Sequence, residues 1–323
     1  MSKYVARRLI QAVPLLLIIS FTVFVLMQLI PGGPLAAYEN NPNLSPEDLA
    51  RLKTEMGLDA PIHARYLTWL GQVLQGDLGT SLVSKRPVLG EIGERIVNTL
   101  YLTLTAFVMS LALSVPIGIV SATRQYSRFD TFFTSFSFFG QSVPVFWMGL
   151  IVIIIFNVML KTPEGRPFLP GGGMQTIGGD FDWGDRLRHL ILPASVLTFF
   201  TMGTHVRYMR SGMLDVLHQD YIRTAYAKGN HERAVIVKHA LRNAVLPLVT
   251  IIGLELPALF NGALITETIF SWPGMGRLFF NAVDRADYAV MMGILMISAI
   301  LIVLSGLLTD VMYAVLNPRI RFD

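Results

Sequence analysis

Six stretches of mostly apolar residues divide this chain, at roughly 9–30, 97–121, 132–160, 189–210, 244–267 and 288–314. At ~1.5 Å of rise per residue, a helix over each can cross a hydrocarbon layer about 30 Å thick. The fourth is the most polar, with Thr198, Thr201, Thr204, His205 and Arg207 in its second half. Between the first two runs the pattern shortens. Ser45-Pro46-Glu47-Asp48 has the order of an N-cap, a proline at the first helical position and acids in the first turn. Leu49, Leu52 and Met56 follow at helical spacing, and Gly57 closes the run. A second amphipathic helix is expected from Pro61 to Gln75, carrying Tyr66, Leu70, Val73 and Leu74, before a turn at Gly76–Gly79. The pattern predicts an all-α integral membrane protein with six transmembrane helices. Its parts are a tail and first helix (1–30), a helical segment outside the membrane (31–96) and a core (97–323).

Composition agrees with this reading. Only 15% of the 323 residues are charged, against about 25% in soluble domains. The absence of cysteine excludes disulfides, thiolate nucleophiles and cysteine-bound metals. An even number of spans puts both termini on one side. That side carries 14 Lys and Arg against 6 Asp and Glu, the other 12 against 14. The excess of Lys and Arg in short loops marks the cytoplasmic face, so both termini and the segment around 211–243 are expected inside. The positive excess behind the net charge of +4 lies on that side, and no nucleic-acid partner is expected. Lys3, Arg7 and Arg8 precede an apolar run, as in a secretory signal. The run from Leu9 to Ile30 exceeds the ~7–15 apolar residues of such a signal, so a retained first helix, bent or broken near Pro14, is expected.

Familiar catalytic patterns are missing. No G-x-x-x-x-G-K-[ST], H-E-x-x-H or G-x-S-x-G is present, so neither an ATP-binding P-loop nor a zinc or serine hydrolase is indicated. Gly171-Gly172-Gly173 has no following Gly-Lys-Ser/Thr and reads as turns. His189 and His205 read as satisfying local hydrogen bonds. Two acids lie within the fifth run. Glu255 is deep and Glu267 is near its end, where it reads as interfacial. Glu255 either lines a polar pathway or bonds a neighbouring helix. Asp310, near the inner end of the sixth run, is expected to pair locally. Gln141 and Asn261 are further polar positions of a pathway, among helices carrying Gly118, Pro144, Gly149, Gly203, Gly253 and Pro257. Such helices suit a conduit and equally a tightly packed bundle.

The segment from Tyr221 to Pro247 is the most unusual. It reads as two short helices broken at Gly229, which suits a helix C′ position, with Asn230 as the next N-cap and Glu232 in the first turn. On a cytoplasmic face such a pair is a docking knob for a soluble partner. The sequences YIRTAYAKG at 221–229 and HALRNAVLP at 239–247 resemble the cytoplasmic loop of binding-protein-dependent ABC importer permeases of the peptide/nickel type. The generic form of that loop is E-A-A, three residues, G, nine residues, I-x-L-P. Here Arg223 and Thr224 replace the acid and the first alanine, and Tyr226 stands where the peptide/nickel version has arginine. The resemblance extends to RRL near the start, IPG at 30–32, GLD at 57–59, GDLG at 76–79, ETIFSWPGMGR at 267–277 and NPRIR at 317–321.

This resemblance implies a type I importer permease without enzymatic activity of its own. The expected partners are a second homologous permease, two ATP-binding subunits that hold ATP and Mg, an extracytoplasmic substrate-binding protein, and membrane lipid. The expected location is a bacterial or archaeal cytoplasmic membrane, and the expected cargo is a peptide or similar small solute. Tyr221, Arg223, Thr224, Ala225, Ala227, Lys228 and Gly229 would couple to the ATPase. Ala225 and Ala227 would allow close approach, and Arg223 and Lys228 would meet acids on the partner. Trp272, Pro273, Gly274 and Arg277 would contact the binding protein. Trp272, Phe279 and Phe280 also read as an interfacial belt. Residues 31–96 read either as a cap meeting the binding protein or as packing on the span tips. A self-sufficient secondary transporter or channel is the alternative, although no internal repeat or pair of mid-span acids supports it.

Overall fold

In a computed structural model of the chain, each apolar run is largely helical. The structure describes residues 2–30, 32–35, 38, 45–261 and 263–316, with side chains for all of these except 2–5, 261 and 311–316. Pro31 of the IPG motif and the NPRIR motif at 317–321 lie outside the described residues. No strand occurs among the described residues, only two isolated β-bridges.

Among the described residues, four helices are long and apolar enough to cross a membrane: α1 (Ser2–Gln28), α4 (Val88–Thr123), α7 (Trp183–Leu217) and α13 (Tyr288–Leu316). Two further spans arise if each of two bent pairs counts as one: α5 (Arg128–Ser142) with α6 (Val145–Met159), and α9 (Glu232–Ala244) with α10 (Leu246–Asn261). The remaining helices are α2 (Pro46–Glu55), α3 (Ile62–Leu74), α8 (Asp220–Ala227), α11 (Leu264–Ile269) and α12 (Met275–Asp284).

The third run is not one straight span, because α5 and α6 meet at 101°. Pro144 holds Val143 in an extended conformation (φ −83°, ψ 127°), so α5 must end before it. α1, by contrast, continues through Pro14. The fifth run also differs from expectation, since its helix ends at Asn261 and resumes at Leu264.

The chain forms two compact units. The first comprises the described residues of Met1–Thr99, Phe260–Leu264 and Pro273–Asp323. Its core holds Phe24, Met27, Val88, Ile92, Met275, Val290 and Met292. Here α3 lies along the C-terminal half of α1. Tyr66 Oη is 2.8 Å from Ser20 Oγ, and the Tyr66 ring meets Phe21 and Phe24 edge-on. The segment between spans therefore packs along the side of α1, not only on a tip. Asp310 pairs with Arg8, 3.1 Å away near the other end of the chain, rather than locally. Asn98 donates to the Pro273 carbonyl at 2.9 Å, and Thr99 Oγ1 accepts from the Met275 amide at 2.8 Å. These two bonds fix the start of α12.

At α2 the expected cap is present as a full capping box. Ser45 Oγ accepts from the Asp48 amide at 3.2 Å, and Asp48 accepts from the Ser45 amide at 3.0 Å. The Ser45 hydroxyl, then its amide, holds the Asp48 carboxyl below its ordinary range. A lowered folded value means that the box is fully formed above the ordinary carboxylate range and is lost as pH falls through the lowered value. Ser45→Ala should speed amide exchange in the first turn of α2 and leave α3 unchanged.

The second unit comprises Leu100–Leu259 and Ile265–Trp272. α7 is its central helix, and the polarity of the fourth run has its cause there. Thr198 Oγ1 donates to the Ala106 carbonyl at 3.1 Å, and Ser114 Oγ donates to the Met202 carbonyl at 3.2 Å. These hydroxyls join α4 to α7. Glycines allow the approach: a Cβ on Gly118 would lie 2.6 Å from Met209 Cβ, and one on Gly203 would lie 2.5 Å from the Ser137 carbonyl oxygen.

Candidate functional site

The Tyr221–Pro247 segment folds as α8, a turn and α9. Gly229 takes φ +78° directly after the cap residue Lys228. This left-handed conformation costs glycine least. The Gly229 amide donates to the Tyr226 carbonyl at 2.9 Å. Asn230 is not the N-cap of α9, because His231 holds that position. Asn230 turns back instead, and its Nδ2 donates to the Ala225 carbonyl at 2.9 Å. It therefore closes the end of α8 and stiffens the turn.

α8 splits by face. Ile222 and Ala225 are buried against Met209 and Met213 of α7, Val235, Ala240 and Ala244 of α9, and Leu248 of α10. Tyr221, Arg223, Thr224, Ala227, Lys228 and Gly229 are exposed. Ala225 thus departs from the expected docking role, since its small side chain packs inside this chain. Arg223 lies 3.6 Å from Asp220, both largely exposed. Asn243 Nδ2 donates to Tyr221 Oη at 2.9 Å and ties α9 to α8. Beneath the pair, α7 and α9 touch backbone to backbone: a Cβ on Gly212 would lie 2.2 Å from the Ala244 carbonyl oxygen. The outer residues of this segment are legible in sequence; Gly212 is not, because its partner is 32 positions away.

The candidate pathway residues separate. Gln141 Nε2 donates to Thr204 Oγ1 at 2.8 Å and its Oε1 accepts from Arg207 at 2.6 Å, so it bridges α5 and α7. Glu255 accepts or shares a proton with His205 Nε2 at 2.7 Å. The Asn261 side chain lies outside the described residues. Glu267 is fully buried. His189 bonds locally, with Nδ1 2.9 Å from the Asp185 carbonyl oxygen.

Trp272 also departs from expectation. It is fully buried among Leu102, Ala106, Leu190 and Ala194, and stacks on Tyr101 at 6.3 Å. Its ring is a core element, neither an exposed contact nor part of a belt. Gly274 is buried as well, while Pro273 and Arg277 are half-buried.

Sequence reading missed the clamp between α5 and α7. Arg210 grips Asp130 through two bonds of 2.7 and 2.9 Å, and the Tyr126 amide and Thr134 hydroxyl complete the carboxylate's shell. Asp130→Ala would strand the guanidinium. A loss of about 3 kcal/mol is expected, the lower end of the range for breaking a buried pair, because Arg210 is 24% exposed. Thermal unfolding in detergent would check it.

These features define a multi-pass helical membrane protein with a rigid helical pair seated on its central helix. The family model described as binding-protein-dependent transport system inner membrane component matches residues 114–322, and the N-terminal model of the same type of component matches residues 1–105. The chain is 44% identical over 323 residues to the oligopeptide transport system permease protein AppB of Bacillus subtilis, covering 100% of each. It is 40% identical over 336 residues to the dipeptide transport system permease protein DppB of Escherichia coli K12, covering 99% of each. It is 37% identical over 322 residues to the glutathione transport system permease protein GsiC of Salmonella typhimurium, covering 100% of each. The chain belongs to the family of inner-membrane permease components of binding-protein-dependent ABC importers.

Proposed function

We propose that this chain is one of two homologous permeases of an ATP-driven peptide importer in a bacterial cytoplasmic membrane. Two ATP-binding subunits hydrolyse ATP, and an extracytoplasmic binding protein delivers the cargo. Full-length likeness to oligopeptide and dipeptide permeases supports peptides as the substrate class. The observation that carries the mechanism is the α8–α9 pair. Its outer face presents Tyr221, Arg223, Thr224, Ala227 and Lys228, while its inner face is locked to α7 at Gly212. A push on α8 then moves α7 and α10 together, because Ile222 and Ala225 sit in one cluster with both. Closely packed interiors transmit such displacement rather than absorb it. The ATPases would supply that push from the cytoplasmic side, the side favoured by the Lys and Arg count. Pro273 and Arg277 remain candidates for contact with the binding protein.

Isolation of the tagged chain from its native membrane in mild detergent, with mass spectrometry of what accompanies it, tests the assembly. A P-loop ATPase and a second six-span protein are expected. Recovery of the chain alone, under conditions that preserve other membrane complexes, would overturn it.

A further inference from the structure

Glu255 lies in α10, half of the bent pair that counts as one membrane span, and within a span a carboxylate costs at least about 2.5 kcal/mol to insert. It is the end of a chain of three side chains from three helices of the second unit. Its Oε2 is 2.7 Å from His205 Nε2, and His205 Nδ1 is 2.8 Å from Ser110 Oγ. The order serine, histidine, acid resembles a hydrolase triad. Ser110 is fully buried, however, so no carbonyl group can reach its Oγ. The chain positions rather than catalyses. His205 thus has both ring nitrogens within hydrogen-bond distance of a partner, Nε2 of Glu255 and Nδ1 of Ser110.

Glu255 is the exposed end of this cluster. His205 has no exposure, whereas the Glu255 side chain is 29% exposed. Its Oε1 has no hydrogen-bond partner among the described residues. Leu254 and Ala258 beside it are exposed too. A single free carboxylate oxygen is too poor a ligand set for Ca²⁺, which takes about 6–8 oxygens. It suits one N⁺–H donor.

We propose that Glu255, positioned by His205 and Ser110, binds the terminal ammonium of the peptide as it passes this subunit. The inference rests on the peptide-import reading above. An ammonium is common to every peptide with a free N-terminus, so one contact recognises the class without selecting side chains. A single contact also permits release, as passage requires.

The test uses the complete transporter in proteoliposomes with ATP. Its binding protein is preloaded to equal occupancy with a peptide or with that peptide's desamino analogue. Glu255→Gln keeps the shape and removes the charge. It should slow import of the free-amine peptide about tenfold, the scale of one charge-assisted hydrogen bond, and change import of the analogue less than about twofold. Glu255→Asp should recover part of the preference. Ser110→Ala should reduce the ratio between the two peptides, which general loss of packing would not do. Equal slowing of both peptides would overturn the proposal. Loss of the second permease from Glu255→Gln preparations would also overturn it, by showing a carboxylate paired across a subunit interface. A wild-type transporter that imports neither peptide would overturn the peptide reading itself, and the inference with it.

Discussion

Gly229→Pro is expected to abolish ATP-driven uptake while the chain still inserts and its long helices remain. Gly229 sits at φ +78°, and proline is locked near φ −65°. The substitution also removes the amide that donates to Tyr226 at 2.9 Å. Together these cost about 3 kcal/mol or more locally, on the order of a hundredfold in any step needing the native turn. The cost falls on the end of α8, which the proposed lever requires to be rigid. Gly229→Ala is the control. A Cβ there meets no atom within 4 Å, so alanine adds only the left-handed strain of about 1 kcal/mol. Measured in parallel, ATP hydrolysis should persist in the proline variant while uptake is lost, and alanine should fall between it and wild type. Normal uptake by Gly229→Pro would remove the turn from the coupling mechanism.

Gly212→Val is expected to act one layer deeper. The clash is with backbone, since the added Cβ would stand 2.2 Å from the Ala244 carbonyl oxygen and 3.5 Å from Ala244 Cα. No rotamer relieves it, so α9 must move away from α7. Overpacking of this kind costs about 1–3 kcal/mol. The larger effect should be on assembly, because α8 rides on α9 through the cluster around Ala225 and Val235. Co-purification of the ATP-binding subunits should fall sharply, and Gly212→Ala should already show part of the loss. Gly90→Ala and Gly93→Ala in α4, where no atom lies within 4 Å, should do neither. Undiminished ATPase recovery from Gly212→Val would show that the pair docks without its seat on α7.

The contrast between these glycines shows what a sequence carries. Gly229 is legible because its cause is local: a helix ends, the next residue needs positive φ, and glycine supplies it. The capping box at Ser45 is legible for the same reason. So are the apolar runs, since each must cover itself in lipid or protein along its whole length. Gly212, Ala225 and Trp272 are not legible. Each owes its role to residues far away in the chain, and a small or aromatic residue reads the same whether it faces a partner or its own core. The polar chain through Ser110, His205 and Glu255 joins three helices, and no spacing rule connects positions 95 and 50 apart. The bend at Pro144 was half legible. Proline announces that a helix is disturbed there, but not that the chain turns through 101°.

The packing of α3 along α1 bears on how pieces of related permeases can be exchanged. Residues 31–96 look like a detachable module between two spans, and a swap of that segment alone is the natural first design. Yet Tyr66 rests on Ser20, Phe21 and Phe24, and the Asp287 carboxylate accepts from Ser81 Oγ at 2.6 Å. A foreign insert would bring half of each of these pairs. The transplantable piece is discontinuous: the first 99 residues together with Phe260–Leu264 and those from Pro273 onward, exchanged as a set.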